Sequence, residues 1–317
     1  MPEATAGLAG VFYWLFNMSL LGAVAGLPVL LLRRIRRIPA RLRIWLWAAP
    51  FLRLTVPFGL RCPVGISALL RPLVRAVPGR LPAFDMMNFV QAAEGYTPLV
   101  FADPRAARLF GVAGLIWSIG TAAILLTLLA IYIATLRELA DARPIGGGVF
   151  VSDKVTGPAV YGIFRPKIVL PPDTGTPQQQ GYILAHERAH IRRADGVWRL
   201  CAVAAAAVHW FDPFVWLYLR LFLHDLELAC DESATARLSP DERRAYARTL
   251  LDCADRQRGF AVYLPGYLPG GAPFCRRRTR LRARIESLLA PRRVTAVSAV
   301  CFSLLIAAVV FLLLTNA

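Results

Sequence analysis

Lysine is almost missing from this chain. Lys154 and Lys167 are the only two, so arginine carries nearly all of a net charge of +17. A sequence pI near 10.6 invites a nucleic-acid reading. No zinc-finger, helix-turn-helix or RNA-binding signature accompanies the arginines, which flank apolar runs as juxtamembrane charges do. Direct nucleic-acid binding is therefore not expected. Cysteine is scarce too: Cys62, Cys201, Cys230, Cys253, Cys275 and Cys301 form no CxxC pair. That leaves no disulfide framework and no thiolate metal site to expect. Acidic residues are scarce in the apolar runs, which weighs against an ion-conducting transporter. Histidine is rarest, with four in 317 residues. There are no internal repeats.

What the chain has in excess is apolar surface. It is 56% hydrophobic with a mean hydropathy of +0.50, against about 45–50% apolar residues in a soluble domain. The excess lies in runs, and a spanning helix needs about 20 such residues. Residues 8–32, 111–136 and 294–314 meet this requirement. A weaker run at 42–60 is interrupted by Arg53 and is expected to span as well, with that arginine turned to the bundle interior. The short loop RRIRRIPARLR after the first run belongs in the cytoplasm. The N-terminus is then outside, and residues 61–110 form an outer loop. The first run lacks a basic leader and a small-residue cleavage site, so it reads as an uncleaved span. The expected organisation is a membrane region at 1–136, a cytoplasmic domain at 137–293, and a fourth span with a short outer tail at 294–317.

Within the cytoplasmic segment, residues 148–171 hold short β-rich runs separated by Gly-Pro and Arg-Pro turns. They suggest an antiparallel sheet of two or three strands. Thr176-Pro177 supplies a cap and first position for a helix through QQQGYILAHERAHIRRAD. Residues 197–223 are very apolar, but Asp212-Pro213 breaks them into halves too short to cross. Two helices lying against the membrane or on the spans are expected. A further helix carries LHDLELACDESATA, and another starts at the capping box of Ser239-Pro240-Asp241-Glu242. Residues 258–275 are rich in Gly and Pro and read as a loop.

The chemistry concentrates in HERAH, residues 186–190. Helical spacing puts His186 and His190 on one face, where both imidazoles can reach one tetrahedral zinc. Glu187 then lies beside the metal, placed to take a proton from bound water. A third ligand is needed. Glu227 and Asp231, one turn apart, are candidates: one carboxylate can bind zinc while the other hydrogen-bonds a ligand histidine. His224 and His209 are rival ligands. Asp195, five residues past His190, either orients a ligand or caps a helix.

These features resemble the membrane metallopeptidases of the BlaR/MecR type. The resemblance runs through WLWAAPFLRLTVPF, SDKVTGPAVYGIFRPKIVLP, HERAHIRRAD, HWFDPFVWL, ELACDE, YARTLLD and RRRTRLRARIESLL, in order over nearly the whole chain. It implies a mainly α membrane protein: four transmembrane helices with a cytoplasmic gluzincin-like α+β zinc metallopeptidase domain. It carries over His186 and His190 as zinc ligands, Glu187 as catalytic base, Glu227 as third ligand, and Asp231 as the carboxylate behind a ligand. Signalling members of the family hold an outer penicillin-binding sensor after the fourth span. This sequence stops at Ala317 and lacks the serine-lysine motif of such sensors, so β-lactam binding is not expected.

The expected activity is zinc-dependent hydrolysis of a cytoplasmic protein at the plasma membrane. A winged-helix repressor is the candidate substrate, and a separate sensor protein a candidate partner. Self-cleavage within 258–284 is a second expectation, because that stretch is Gly/Pro- and Arg-rich. The alternatives are a membrane quality-control metalloprotease and a zinc-stabilised transducer without proteolysis.

Overall fold

The computed structural model describes residues 3–35, 38–55, 60–61, 104–155, 157–256, 277–290 and 296–316. The chain is mainly helical and divides into two compact units. One comprises Met1–Ile124, Ala204–Phe222 and Val294–Ala317; the other comprises Leu125–Val203 and Leu223–Arg293.

The first unit is built from apolar helices. α1 runs Glu3–Leu32. The short α2 (Ala40–Arg43), a 3-10 turn (Ile44–Trp47) and α3 (Ala48–Thr55) follow. The long α4 runs Pro104–Glu138, and its first part belongs here. Aromatic side chains fill the contacts: Phe12 meets Phe211 edge-on at 5.2 Å, and Tyr13 meets Phe110 at 5.0 Å. Gly26 lies so close to the Tyr218 ring that a Cβ there would sit 2.1 Å from it. His209 is fully buried. Its Nδ1 accepts from the Ser19 hydroxyl at 2.7 Å and its Nε2 donates to the Leu54 carbonyl at 2.8 Å. That carbonyl is one of the last four of α3, which have no helical donor. A two-residue parallel pair joins β1 (Leu60–Arg61) to β6 (Thr315–Asn316).

Gly7–Leu32 and Ala107–Arg137 are long and apolar enough to cross a membrane, and Val297–Leu312 is a shorter apolar helix. The expected span at 42–60 is different. Its described helical part ends at Thr55 and changes to 3-10 geometry at Ile44–Trp47, and residues 56–59 lie outside the described ones. Arg53 is buried at 4% exposure. Most of the expected outer loop, 62–103, also lies outside the described residues.

The second unit opens on a sheet of four strands in the order β2-β3-β5-β4. These are β2 (Arg143–Gly146), β3 (Val149–Val151), β4 (Ala159–Tyr161) and β5 (Lys167–Leu170). The expected sheet of two or three antiparallel strands is corrected here, because β3 and β5 run parallel, Val149 opposite Ile168. Two hairpins, β2-β3 and β4-β5, pair through their inner strands. Pro144 hid β2 in the sequence; a proline has no N–H for a ladder and is tolerated only at an edge, and β2 is an edge. The β2-β3 turn uses Gly146, Gly147 and Gly148 at φ of 108°, 60° and 75°, values that only glycine adopts without strain.

β5 alternates between two small cores, as a period of two demands. Ile168 and Leu170 join Val149 and Ile183, while Val169 joins Val155, Ala159 and Tyr161. Each such aliphatic side chain contributes roughly 1.5–3 kcal/mol on burial. Ile183 belongs to α5 (Pro177–Arg192), so the first core fixes the HERAH helix on the sheet. Thr176 and Gln179 form the capping box at its start.

α6 (Asp195–Val208) and α7 (Pro213–Ala234) are separated at Asp212, whose Oδ1 accepts from the Phe214 N–H at 2.8 Å. The break at Asp212-Pro213 is where expected. The separate helix expected for LHDLELACDESATA is not: α7 continues unbroken to Ala234. No proline or glycine follows Pro213 within the helix, so no backbone breaker ends it when its composition turns acidic. α8 (Pro240–Arg256) and α9 (Arg277–Leu289) follow. The Ser239–Glu242 capping box closes reciprocally at 2.7 and 3.3 Å.

Candidate metal centre

His186 and His190 lie one turn apart on α5, both buried, with their Nε2 atoms 3.2 Å apart. Glu227 on α7 presents Oε2 at 3.6 Å from His186 Nε2 and Oε1 at 3.7 Å from His190 Nε2. Two atoms that each bind a tetrahedral zinc at about 2.1 Å are roughly 3.4 Å apart. Two nitrogens and a carboxylate that turns one oxygen toward each of them, at these separations, fit such an ion. Glu187 is buried on the same turn of α5.

The outer edge of each ring is occupied. His190 Nδ1 meets Asp195 Oδ2 at 2.6 Å, and Arg193 Nε donates to the other Asp195 oxygen at 3.2 Å. Asp195 reaches back because Ala194 takes a left-handed φ of 52° at the corner between α5 and α6. His186 Nδ1 meets the Tyr246 hydroxyl at 2.8 Å and lies 3.2 Å from Asp231 Oδ1. The Tyr246 O–H donates to Asp231 Oδ1 at 2.9 Å. Tyr246 therefore accepts from the His186 Nδ1–H. Such a bond fixes the tautomer and leaves the Nε2 lone pair toward Glu227.

Two arginines close the acidic side. Arg284 on α9 forks onto Asp231, Nε to Oδ2 at 2.6 Å and Nη2 to Oδ1 at 2.8 Å. Its Nη1 lies 3.3 Å from Glu227 Oε2. Arg199 Nη2 donates to Glu227 Oε1 at 2.5 Å. Burial works against the Asp231 charge, but the Arg284 fork and then His186 hold its carboxyl below the usual carboxylate range. Burial opposes a charged Glu227 as well. His190, His186, Arg284 and Arg199 outweigh it and keep that carboxyl well below its ordinary value. Burial pushes the Tyr246 hydroxyl up, so it remains a donor at neutral pH.

The fold thus brings together His186, Glu187, His190, Asp195, Glu227 and Asp231. His209 is excluded by its own bonds to Ser19 and Leu54. The ligand atoms that group within 4.8 Å of one another among the described residues include neither His224 nor Glu227. Sequence reasoning missed Arg199, Cys230, Tyr246 and Arg284. Cys230 forms a buried group with His186 and His190, their ligand atoms within 4.8 Å of one another. Its Sγ donates to the His186 carbonyl at 3.3 Å and lies 3.6 Å from His186 Nδ1. The thiol is thus on the Nδ1 edge of His186, while Glu227 is on the Nε2 edge. The signal for Cys230 was its place three residues after Glu227, which is the same helix face.

The family model for the BlaR1 peptidase M56 matches residues 13–267. The chain belongs to the M56 peptidase family. Among curated proteins, the methicillin resistance mecR1 protein of Staphylococcus aureus is 26% identical over 106 residues, 32% of this chain and 18% of that one. The same values hold for the mecR1 protein of Staphylococcus epidermidis. The regulatory protein BlaR1 of Bacillus licheniformis is 26% identical over 102 residues, 32% of this chain and 17% of that one. The matched stretch spans less than a fifth of these relatives' own length. The BlaR/MecR resemblance read from the ordered motifs is thereby met by family membership, and the M56 chain places its HERAH residues inside the matched region.

Proposed function

We propose that this M56 family member is an integral membrane zinc endopeptidase that hydrolyses a cytoplasmic protein as a step in regulatory signalling. The observation that carries the chemistry is the convergence of His186 Nε2, His190 Nε2 and the Glu227 carboxylate at 3.2–3.7 Å. These three residues would hold the ion and leave a fourth position for water. When bound, zinc lowers the pKa of that water and polarises a carbonyl. Glu187 accepts the water proton on its carboxylate and passes it to the departing amine. Asp195 holds the His190 ring, and Tyr246 with Asp231 holds that of His186, so neither turns its lone pair away. An extended substrate segment can add to an open edge of the four-stranded sheet, with backbone hydrogen bonds giving affinity.

The reading of place and partner rests on the sequence and on relatives. Two helices have crossing length; with the arginine-rich loop after α1 in the cytoplasm and residues 42–60 as a further crossing, residues 137–293 face the cytoplasm. The relatives carry names of methicillin resistance and regulation. A winged-helix transcriptional repressor suits that setting as substrate, with a separate protein as sensor.

Metal content and proteolysis of the purified protein in detergent test this, wild type beside Glu187→Gln. The expected result is about one zinc per chain in both, with cleavage lost by roughly 100-fold or more in the variant. Folded protein without metal would overturn the reading.

A further inference from the structure

α9 is rich in arginine, yet its arginines are not alike. Arg282 is 81% exposed in its side chain and pairs with Glu286 one turn on, a solvated helix pair. The Arg284 side chain is 17% exposed and faces the metal centre. Burying a guanidinium is costly unless its charge is answered. Here it is answered twice, by the fork onto Asp231 and by the approach to Glu227 at 3.3 Å. One planar group spans two carboxylates a helical turn apart, a task its fixed geometry suits and a lysine's does not.

The contacts continue inward. Asp231 Oδ1 accepts from both Arg284 and Tyr246, and Tyr246 touches His186 Nδ1. α9 is seated by Leu288, which is buried with Tyr246 and Ala247 of α8. The same tyrosine therefore supports α9 and steadies the His186 ring.

We propose that Arg284 is a positioning residue of the metal centre, fixing the His186 ring through Asp231 and Tyr246 and the Glu227 carboxylate directly. This rests on the reading that His186, His190 and Glu227 hold the metal. Without the guanidinium, Asp231 keeps a buried charge with one strong partner fewer. Its carboxylate then turns toward His186 Nδ1, already 3.2 Å away, and the tyrosine bridge loosens. Glu227 is left with Arg199 alone of its two arginines. The effect falls on metal binding before it falls on catalysis.

The test is metal affinity of the full-length protein in detergent, measured by chelator competition with zinc and by the visible spectrum of the cobalt(II) form. Arg284→Ala should weaken zinc binding about 10–100-fold and shift the cobalt bands, the loss typical of removing a partner behind a metal ligand. Arg284→Lys should fall between, and added guanidinium should restore part of the affinity to the alanine variant. Arg282→Ala, on the exposed side of the same helix, should match the wild type. Should Arg284→Ala fail to fold, Arg284→Lys decides: reduced affinity supports the inference and unchanged affinity overturns it. A wild type that binds zinc beside an unaltered Arg284→Ala overturns this inference alone. A wild type that binds no zinc overturns the metallopeptidase reading with it.

Discussion

At the scale of residues, Glu227 and Cys230 compete for the role of third ligand. Thiolate is a strong zinc donor, and Cys230 is buried against both histidines. On the proposed reading, direction favours Glu227. Tyr246 occupies His186 Nδ1, the edge Cys230 approaches, and Glu227 stands at the free Nε2 edge. Glu227→Ala should therefore lose the metal, while Cys230→Ala keeps it within a few-fold, read by metal analysis after dialysis. The reverse pattern would make the centre a two-histidine, one-cysteine site. The histidine pair, Glu187, and the acids of α7 were legible in sequence, because helical spacing is a local rule. Arg199, Tyr246 and Arg284 were not. Each is an ordinary polar residue until folding buries it beside a charge, and Arg284 looks like every other arginine of α9.

Among elements, the sequence was most readable where a side chain meets its own backbone. Thr176, Ser239 and Asp212 each mark a helix start by an oxygen that satisfies a free N–H. Thr176→Ala should cost about 1 kcal/mol, lowering the unfolding midpoint by roughly 2–4 °C for a unit of this size. The midpoint is measured by the thermal loss of helical circular dichroism. An unchanged midpoint would mean that the core contacts of Ile183 alone hold the start of α5. The sheet was less readable. Pairing of β3 with β5 depends on which hairpin meets which, and short strands carry no label for that. The length of α7 was hidden for the opposite reason: its change from apolar to acidic reflects a change of surroundings, with no change of backbone.

For the whole molecule, the sequence bias is in charge and hydropathy. Runs of arginine beside helices of crossing length predict that the sheet and the metal centre share the cytoplasm. Lys154, exposed and paired with Asp141, offers a reporter position. With the natural cysteines removed, Lys154→Cys should resist a membrane-impermeant maleimide in intact cells and react after lysis. Labelling in intact cells would invert the topology and move the substrate outside. Composition was legible at this scale because a bilayer selects for it directly. The division into two units was not, since α4, α6 and α7 each contribute to both.

The distance along the chain between the acids of α7 and Arg284 has a consequence in time. Arg284 follows Asp231 by 53 residues. A ribosome adding about 5–20 residues per second needs roughly 3–10 s to cover that interval. For those seconds a nascent chain already carries HERAH and Glu227 but not the arginine that steadies them. A centre steadied by a residue that is made so much later is poorly formed in the interval, and the chain's own emerging segments pass it before it is set.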